Sequence, residues 1–276
     1  MALRIAFDLD GTVADMSSVL RRHAQTLFGK ELTATKSDVA GRRDAAGMQH
    51  AVDVAPTTVA MDALRLTPRQ QQQLWDHVST ISDFWLTLPE IEPGIITRIA
   101  ATANDRRWEL IFLTTRPPTE GQVTQRQSQR WLAEHGLQYP SVYVVQRSRG
   151  KIADALQLDA VVDDRVENCL DVALESKSKP ILVFPGDPKI VPPAAKRLGV
   201  RVVKSISTAL SLLERYDDER RQPPIVRSLN RLLGRQTPLS EQPALQNRRG
   251  GNRRKVNVGP PPGMVDRRRG DRRSQS

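Results

Sequence analysis

The stretch Phe7-Asp8-Leu9-Asp10-Gly11-Thr12-Val13-Ala14-Asp15 sets two carboxylates two positions apart, at the end of a short apolar run from Leu3 to Leu9. Residues just past the carboxyl end of a parallel strand face the crevice where ligands bind in open α/β sheets. Two acids in that place can divide labour. Asp8 can attack phosphorus and carry a covalent phosphoryl group, while Asp10 can protonate the leaving oxygen and then deprotonate water. Gly11 lets the chain turn so that both acids face inward. An acidic turn that merely caps a helix would use the same letters, but D-x-D-G-[TV] arises by chance in about one chain in a hundred of this length.

Such a pair needs elements that hold it. Apolar runs rich in Val and Ile recur at Leu3 to Leu9, Leu110 to Leu113, Val142 to Val145, Ala160 to Val162, Ile181 to Phe184 and Val200 to Val203. Between them the pattern predicts helices over Thr119 to His135, Gly150 to Leu156, Arg165 to Ser176 and Ile206 to Arg215. The alternation implies an α/β protein built on a doubly wound parallel sheet covered on both faces. One spacing breaks the rhythm, because roughly a hundred residues separate the first two strands and a single crossover helix needs far fewer. Residues 16–92 read as an inserted helical cap, with candidate helices at Ser17 to Phe28 and Pro68 to Ile81. The second starts behind a Thr67 N-cap with proline at its first position. Gln70 to Gln73 then form a solvated helix face before Leu74 and Trp75.

With these elements placed, residues 1–215 resemble the haloacid dehalogenase-like phosphatase superfamily, whose four motifs recur in order. Asp8 and Asp10 stand in the first. Ile111-Phe112-Leu113-Thr114-Thr115 ends the second strand with hydroxyls, Lys151 follows the third strand and opens a helix, and Val161-Val162-Asp163-Asp164 ends the fourth with paired acids. Each has a physical role beside the resemblance. Thr114, with Thr115 beside it, can donate to a phosphoryl oxygen, and Lys151 can neutralise charge on that group and on Asp8. Asp164 can complete a hard, oxygen-rich magnesium site with the Asp8 carboxylate and the Asp10 backbone carbonyl. The metal would let an anionic nucleophile approach an anionic phosphate. The resemblance implies a water-mediated or outer ligand role for Asp163.

Within the superfamily the sequence is similar to the 5'(3')-deoxyribonucleotidase group, through Ala14-Asp15, Phe84-Trp85, Leu88-Pro89 and Asp163-Asp164-Arg165. That similarity implies a small phosphorylated substrate, with nucleoside monophosphates first in line. Trp85 is then either a stacking platform for a nucleobase or a core anchor between cap and sheet. Arg116 either steers an anionic substrate or pairs with a surface acid. Arg165 either pairs locally with the acidic cluster or touches substrate. Glu90 and Glu92 add two acids near the expected entrance.

Composition separates residues 1–215 from the rest of the chain. The protein has 276 residues and a formal net charge of +11. From Tyr216 onward, fifteen Lys and Arg face six Asp and Glu, a net of +9, which leaves +2 for residues 1–215. Pro223-Pro224, Pro260 to Pro262 and Gly-Arg clusters predict a mostly disordered basic tail over 216–276. Within it Ile225, Val226, Leu229, Leu232 and Leu233 form one face of an amphipathic helix near 225–236, flanked by Arg227, Arg231 and Arg235. Such a tail can be a solubilising extension, contact nucleic acid, or meet an anionic membrane surface or a protein partner. A binding or adaptor protein on a phosphatase-like fold is therefore the alternative to an enzyme, although all four motif positions are filled. The lone Cys169 excludes an internal disulfide and reads as a small buried helix residue. No run of apolar residues is long enough for a transmembrane segment, and a cytoplasmic location is expected.

Overall fold

In the computed structural model, which describes residues 2–29 and 66–223, all six apolar runs are strands. They are β1 (Arg4–Asp8), β2 (Glu109–Thr114), β3 (Val142–Val144), β4 (Ala160–Asp163), β5 (Lys179–Val183) and β6 (Arg201–Val203). Every pairing is parallel, in the order β3-β2-β1-β4-β5-β6. The chain thus starts mid-sheet, winds out to one edge, and returns to build the other half from β4. This order reverses between β1 and β4, the topological switch point at which ligands bind in such sheets.

The period-two alternation of strand side chains divides the core between the two faces. On one face, Ile5, Phe7, Phe112, Ala160, Val162 and Ile181 join one buried cluster with the helices α3 (Ile95–Arg106), α4 (Thr124–Glu134) and α8 (Ile206–Arg221). On the other, Ala6, Ile111, Leu113 and Val161 pack with residues of α5 (Arg149–Ala155) and α6 (Val166–Glu175). Leu182 meets Cys169 and Ala195, the latter on the short α7 (Pro193–Arg197). The fold is a doubly wound α/β sheet.

The inserted region contributes α1 (Met16–Phe28) and α2 (Pro68–Ser79). Asp15 caps α1 by accepting from the Ser18 N–H, and Thr67 and Gln70 close a capping box on α2. Val19, Leu20, Leu74 and Val78 carry both helices into the larger cluster, and the His23 and His77 rings meet through Nδ1 and Nε2 at 3.2 Å. Residues 30–65, which complete the expected cap, lie outside the described residues, as do the amphipathic segment at 225–236 and the arginine-rich stretches beyond it.

Three differences from the sequence pattern have physical causes. Helix α4 begins at Thr124 rather than Thr119 because the preceding segment docks on Asp83, whose N–H donates to the Glu120 carbonyl and whose carboxylate accepts from the Gln122 N–H. Helix α3 and a 3-10 turn at Phe84–Thr87 occupy the stretch before β2, where the pattern predicts no element of its own. The last helix does not stop at Arg215. It runs to Arg221, because Asp217 is buried and accepts from the Trp108 indole at 2.9 Å and from Arg221 at 3.0 Å, while Arg220 pairs with Asp159. Among the described residues no helix is long and apolar enough to cross a membrane.

Candidate active site

Strand register assembles the site. Asp8 ends β1 opposite Leu113, and Phe7 is opposite Val162, so Asp8 and Asp163 finish adjacent strands side by side while Thr114 lies one step beyond Asp8. The chain then turns at Gly11, whose φ of +87° suits glycine and where any Cβ would overlap the Asp164 carboxylate. Thr12, fully buried, donates its hydroxyl to Asp164 Oδ1 at 3.3 Å. The turn therefore brings the first and fourth motifs into contact, as their strand-end placement implies.

Asp8 is buried and faces a cation other than the one expected from sequence. Arg149 Nη2 donates to Asp8 Oδ1 at 2.6 Å, and Arg149 Nε lies 3.7 Å from Asp163 Oδ2. Lys151 is exposed to solvent. The expectation that Lys151 neutralises charge at Asp8 is thus corrected: Arg149 holds that place. The cause is packing. Gly150 lies against α6 so closely that a Cβ would overlap the Asp171 carbonyl, which turns Arg149 inward. Positions two apart on a helix do not share a face, so Lys151 is turned away. The segment offers two cations around one glycine, and that glycine was the signal available to sequence reasoning.

Asp10 is clamped from the second motif. Thr114 Oγ1 donates to Asp10 Oδ2 at 3.0 Å, and Arg116 Nε reaches both carboxylate oxygens at 2.9 Å. Arg116 Nη2 is 2.8 Å from Oδ1, outside hydrogen-bond alignment. Its Nη1 donates to Ser128 Oγ on α4 at 2.9 Å, and its guanidinium lies 4.9 Å from the centre of the Trp85 ring. Arg116 is 2% exposed, so it pairs with the strand-end acid Asp10 rather than with a surface one. Thr115, next in the motif, is half-buried, and its carbonyl accepts from Gln146 at 3.5 Å.

Trp85 is fully buried, with its indole N–H donating to the Pro117 carbonyl at 3.0 Å and its backbone N–H to Gln127 at 3.1 Å. Base stacking by this ring is excluded in this arrangement, because both its edge and its face are already occupied. It is the core anchor. Nor do the two added acids guard an entrance: Glu90 accepts from the Gly94 and Ile96 N–H groups at the start of α3, and Glu92 from Ile206 and Ser207 at the start of α8. Both are helix caps, placed where the dipole favours negative charge.

The paired acids of the fourth motif differ in what remains free. Asp163 is fully buried, and its carboxylate accepts from the Arg165 N–H at 2.8 Å and from the Asn168 amide at 3.0 and 2.9 Å. Asp164 accepts only the Thr12 hydroxyl among the described hydrogen bonds. Burial and the charge of Asp163 push the Asp8 carboxyl well above its ordinary value, against the pull of Arg149. Burial and Asp163 likewise push Asp164 up to about 7. An excess of crowded carboxylate charge with oxygen-only donors suits a hard divalent cation. Among the described residues no three His, Cys, Asp or Glu side chains form a group that could hold a metal ion by themselves.

Comparison with solved structures finds similar chains at low sequence identity. The structural likeness is to haloacid dehalogenase-like hydrolases. A hydrolase of that description from Xanthomonas campestris matches 85% of this chain and 99% of its own at 14% identity and a TM-score of 0.40. A family hydrolase from Deinococcus radiodurans, with bound phosphate and sodium, matches 75% and 93% at 16% identity and a TM-score of 0.42. A phosphonoacetaldehyde hydrolase-like protein from Oleispira antarctica matches 80% and 96% at 13% identity and a TM-score of 0.46. No protein-family model and no curated protein matches the sequence.

Proposed function

We propose that the protein is a magnesium-dependent phosphomonoester hydrolase working through an aspartyl-phosphate at Asp8. The observation that carries this reading is the buried pair of Asp8 and Arg149 at the switch point of the sheet, with Asp10 held beside it. In the first step an Asp8 carboxylate oxygen attacks phosphorus, the phosphorus–oxygen ester bond breaks, and Asp10 gives its proton to the leaving alcohol. In the second, Asp10 takes a proton from water, whose oxygen attacks the same phosphorus, releasing inorganic phosphate and restoring Asp8. Arg149 offsets negative charge on Asp8 and on the phosphoryl oxygens throughout.

Asp8 and Asp164, with the Asp10 backbone carbonyl and water, would hold magnesium, which commonly takes only one or two carboxylates from the protein. When bound it would supply charge neutralisation between nucleophile and phosphate. Asp163, saturated by Arg165 and Asn168, orients the cluster instead of binding directly. A preference for nucleoside monophosphates rests on the resemblance through Ala14-Asp15, Phe84-Trp85, Leu88-Pro89 and Asp163-Asp164-Arg165 alone, since the Trp85 ring is sealed in the core. The small phosphorylated substrate would meet residues 1–215, and nucleic acid or an anionic surface would meet the basic tail.

The test is a panel of nucleoside monophosphates, sugar phosphates and an aryl phosphate, with and without magnesium, for the natural protein and for Asp8→Asn. The amide keeps the shape and removes the anionic nucleophile, so turnover should disappear while the fold persists. Retention of more than a few per cent of the natural rate removes Asp8 from this role.

A further inference from the structure

We propose that Arg116 is a positioning residue for Asp10, and that it ties the proton-transferring carboxylate to the segment following the inserted helices. The inference rests on the hydrolase reading and deepens it at the same site. A chain of buried contacts carries it. The guanidinium of Arg116 meets Asp10 through Nε at 2.9 Å to both oxygens, Ser128 through Nη1 at 2.9 Å, and the face of Trp85 at 4.9 Å. Arg116 is 2% exposed and Trp85 and Ser128 are 0% exposed. A planar guanidinium lying over an indole and bonded along its edges has little freedom to rotate.

Asp10 has no comparable restraint of its own. It lies beyond the end of β1 in the Gly11 turn, and its side chain is fixed only by Thr114 and Arg116 among the described hydrogen bonds. Proton transfer requires that its oxygen stay within hydrogen-bond reach of the leaving group, and a displacement of about 1 Å costs roughly 100-fold. Arg116 therefore acts through Asp10 and does not need to touch substrate. Trp85 makes the arrangement depend on the preceding segment: the 3-10 turn that bears it is bonded to Gln127 on α4 and to the Pro117 carbonyl in the loop after β2, and Asp83 grips the same loop at Glu120 and Gln122.

A positioning role leaves a signature that a substrate contact does not. In forming the aspartyl-phosphate, the step that kcat/KM reports, only esters whose leaving oxygen needs a proton depend on Asp10, so Arg116→Ala should lose about 30-fold or more in kcat/KM on an alkyl phosphate and less than about 3-fold on dinitrophenyl phosphate. KM should rise on neither. Arg116→Lys, which keeps charge but lacks the planar fork, should show the same split at smaller amplitude. Turnover of the activated ester reports that each variant is folded, and the lysine variant carries the test if the alanine variant does not fold. Equal losses on both esters with a raised KM would make Arg116 a phosphate contact and overturn the proposal. So would unchanged turnover of the alkyl ester. Failure of the hydrolase reading would appear separately, as activity retained by Asp8→Asn.

Discussion

The two ends of the sheet treat buried charge in opposite ways. At the end where β1 and β4 begin, every buried acid is answered: Asp217 accepts from Trp108 and Arg221, and Asp159 accepts from the Arg4 N–H at 2.9 Å and pairs with Arg220. Although burial works to raise it, Asp217 is held below its ordinary value by the hydrogen bonds from Arg221, Trp108 and Arg106. At the other end Asp8, Asp163 and Asp164 crowd together and burial pushes all three up, Asp8 and Asp164 further by the charge of Asp163, while Arg149 lies between Asp8 and Asp163. The first end fastens the last helix to the sheet. The second keeps carboxylates in excess where a cation would balance them, which is how perturbed groups mark a site for chemistry rather than for stability.

Breaking the comparison at its functional end should give the largest effect. Arg149→Ala should lower kcat/KM on an aryl phosphate by about 100-fold to 1000-fold, the scale of one lost charge stabiliser, while Lys151→Ala should stay within about 2-fold because that side chain is in solvent. Steady-state kinetics on the two variants decide it, and the opposite ranking would return Lys151 to the site.

At the stabilising end the effect should be structural. Asp217→Ala leaves the Trp108 N–H and two arginines without their shared acceptor and should cost about 3 kcal/mol in urea unfolding, with kcat of the folded fraction unchanged. A chain ended after Tyr216 loses Asp217, Arg220 and Arg221 together, so it should be less stable than one ended after Pro223 by at least as much. Equal stability of the two chains would mean that the final turns of α8 do not fasten the sheet.

A smaller change sharpens the same contrast through pH. A carboxylate depressed in the fold contributes stability that is fully present above its unfolded value of about 3.9 and is lost as pH falls through the folded value. The stability gap between the natural protein and Asp217→Asn should therefore be constant from neutrality to about pH 5 and narrow below about pH 4. A gap that widens on acidification would contradict the sign. The smallest effect should come from Glu92→Gln, where weakening the cap on α8 should cost about 1 kcal/mol and leave turnover as it was.

Periodicity made most of the fold legible. Strands buried on both faces must be short and apolar, so Leu3 to Leu9 and its five counterparts announced themselves, and Thr67-Pro68 marked a helix start by local chemistry alone. Helix α3 is masked in the pattern although Ile95, Ile96, Ile99 and Ala103 repeat at helical spacing, because it falls in the long break in rhythm before β2, next to the inserted cap. The carboxylates of the site were legible for a similar reason to the strands. Each lies at or just past the end of a strand, and a parallel sheet brings the ends of neighbouring strands together whatever surrounds them.

The partners of those carboxylates were another matter. Sequence by itself determined that Asp8, Asp10, Thr114, Asp163 and Asp164 gather at the carboxyl end of the sheet, since that follows from strand positions. Only the tertiary structure decided between Arg149 and Lys151, through the contact of Gly150 with the Asp171 carbonyl, and only it placed Arg116 on Asp10 and sealed Trp85 beneath it. It also turned Glu90 and Glu92 into helix caps and carried α8 past Arg215 on the strength of Asp217. Long side chains can reach in several directions from one backbone position, and which direction prevails depends on which neighbours from distant parts of the chain fill the others.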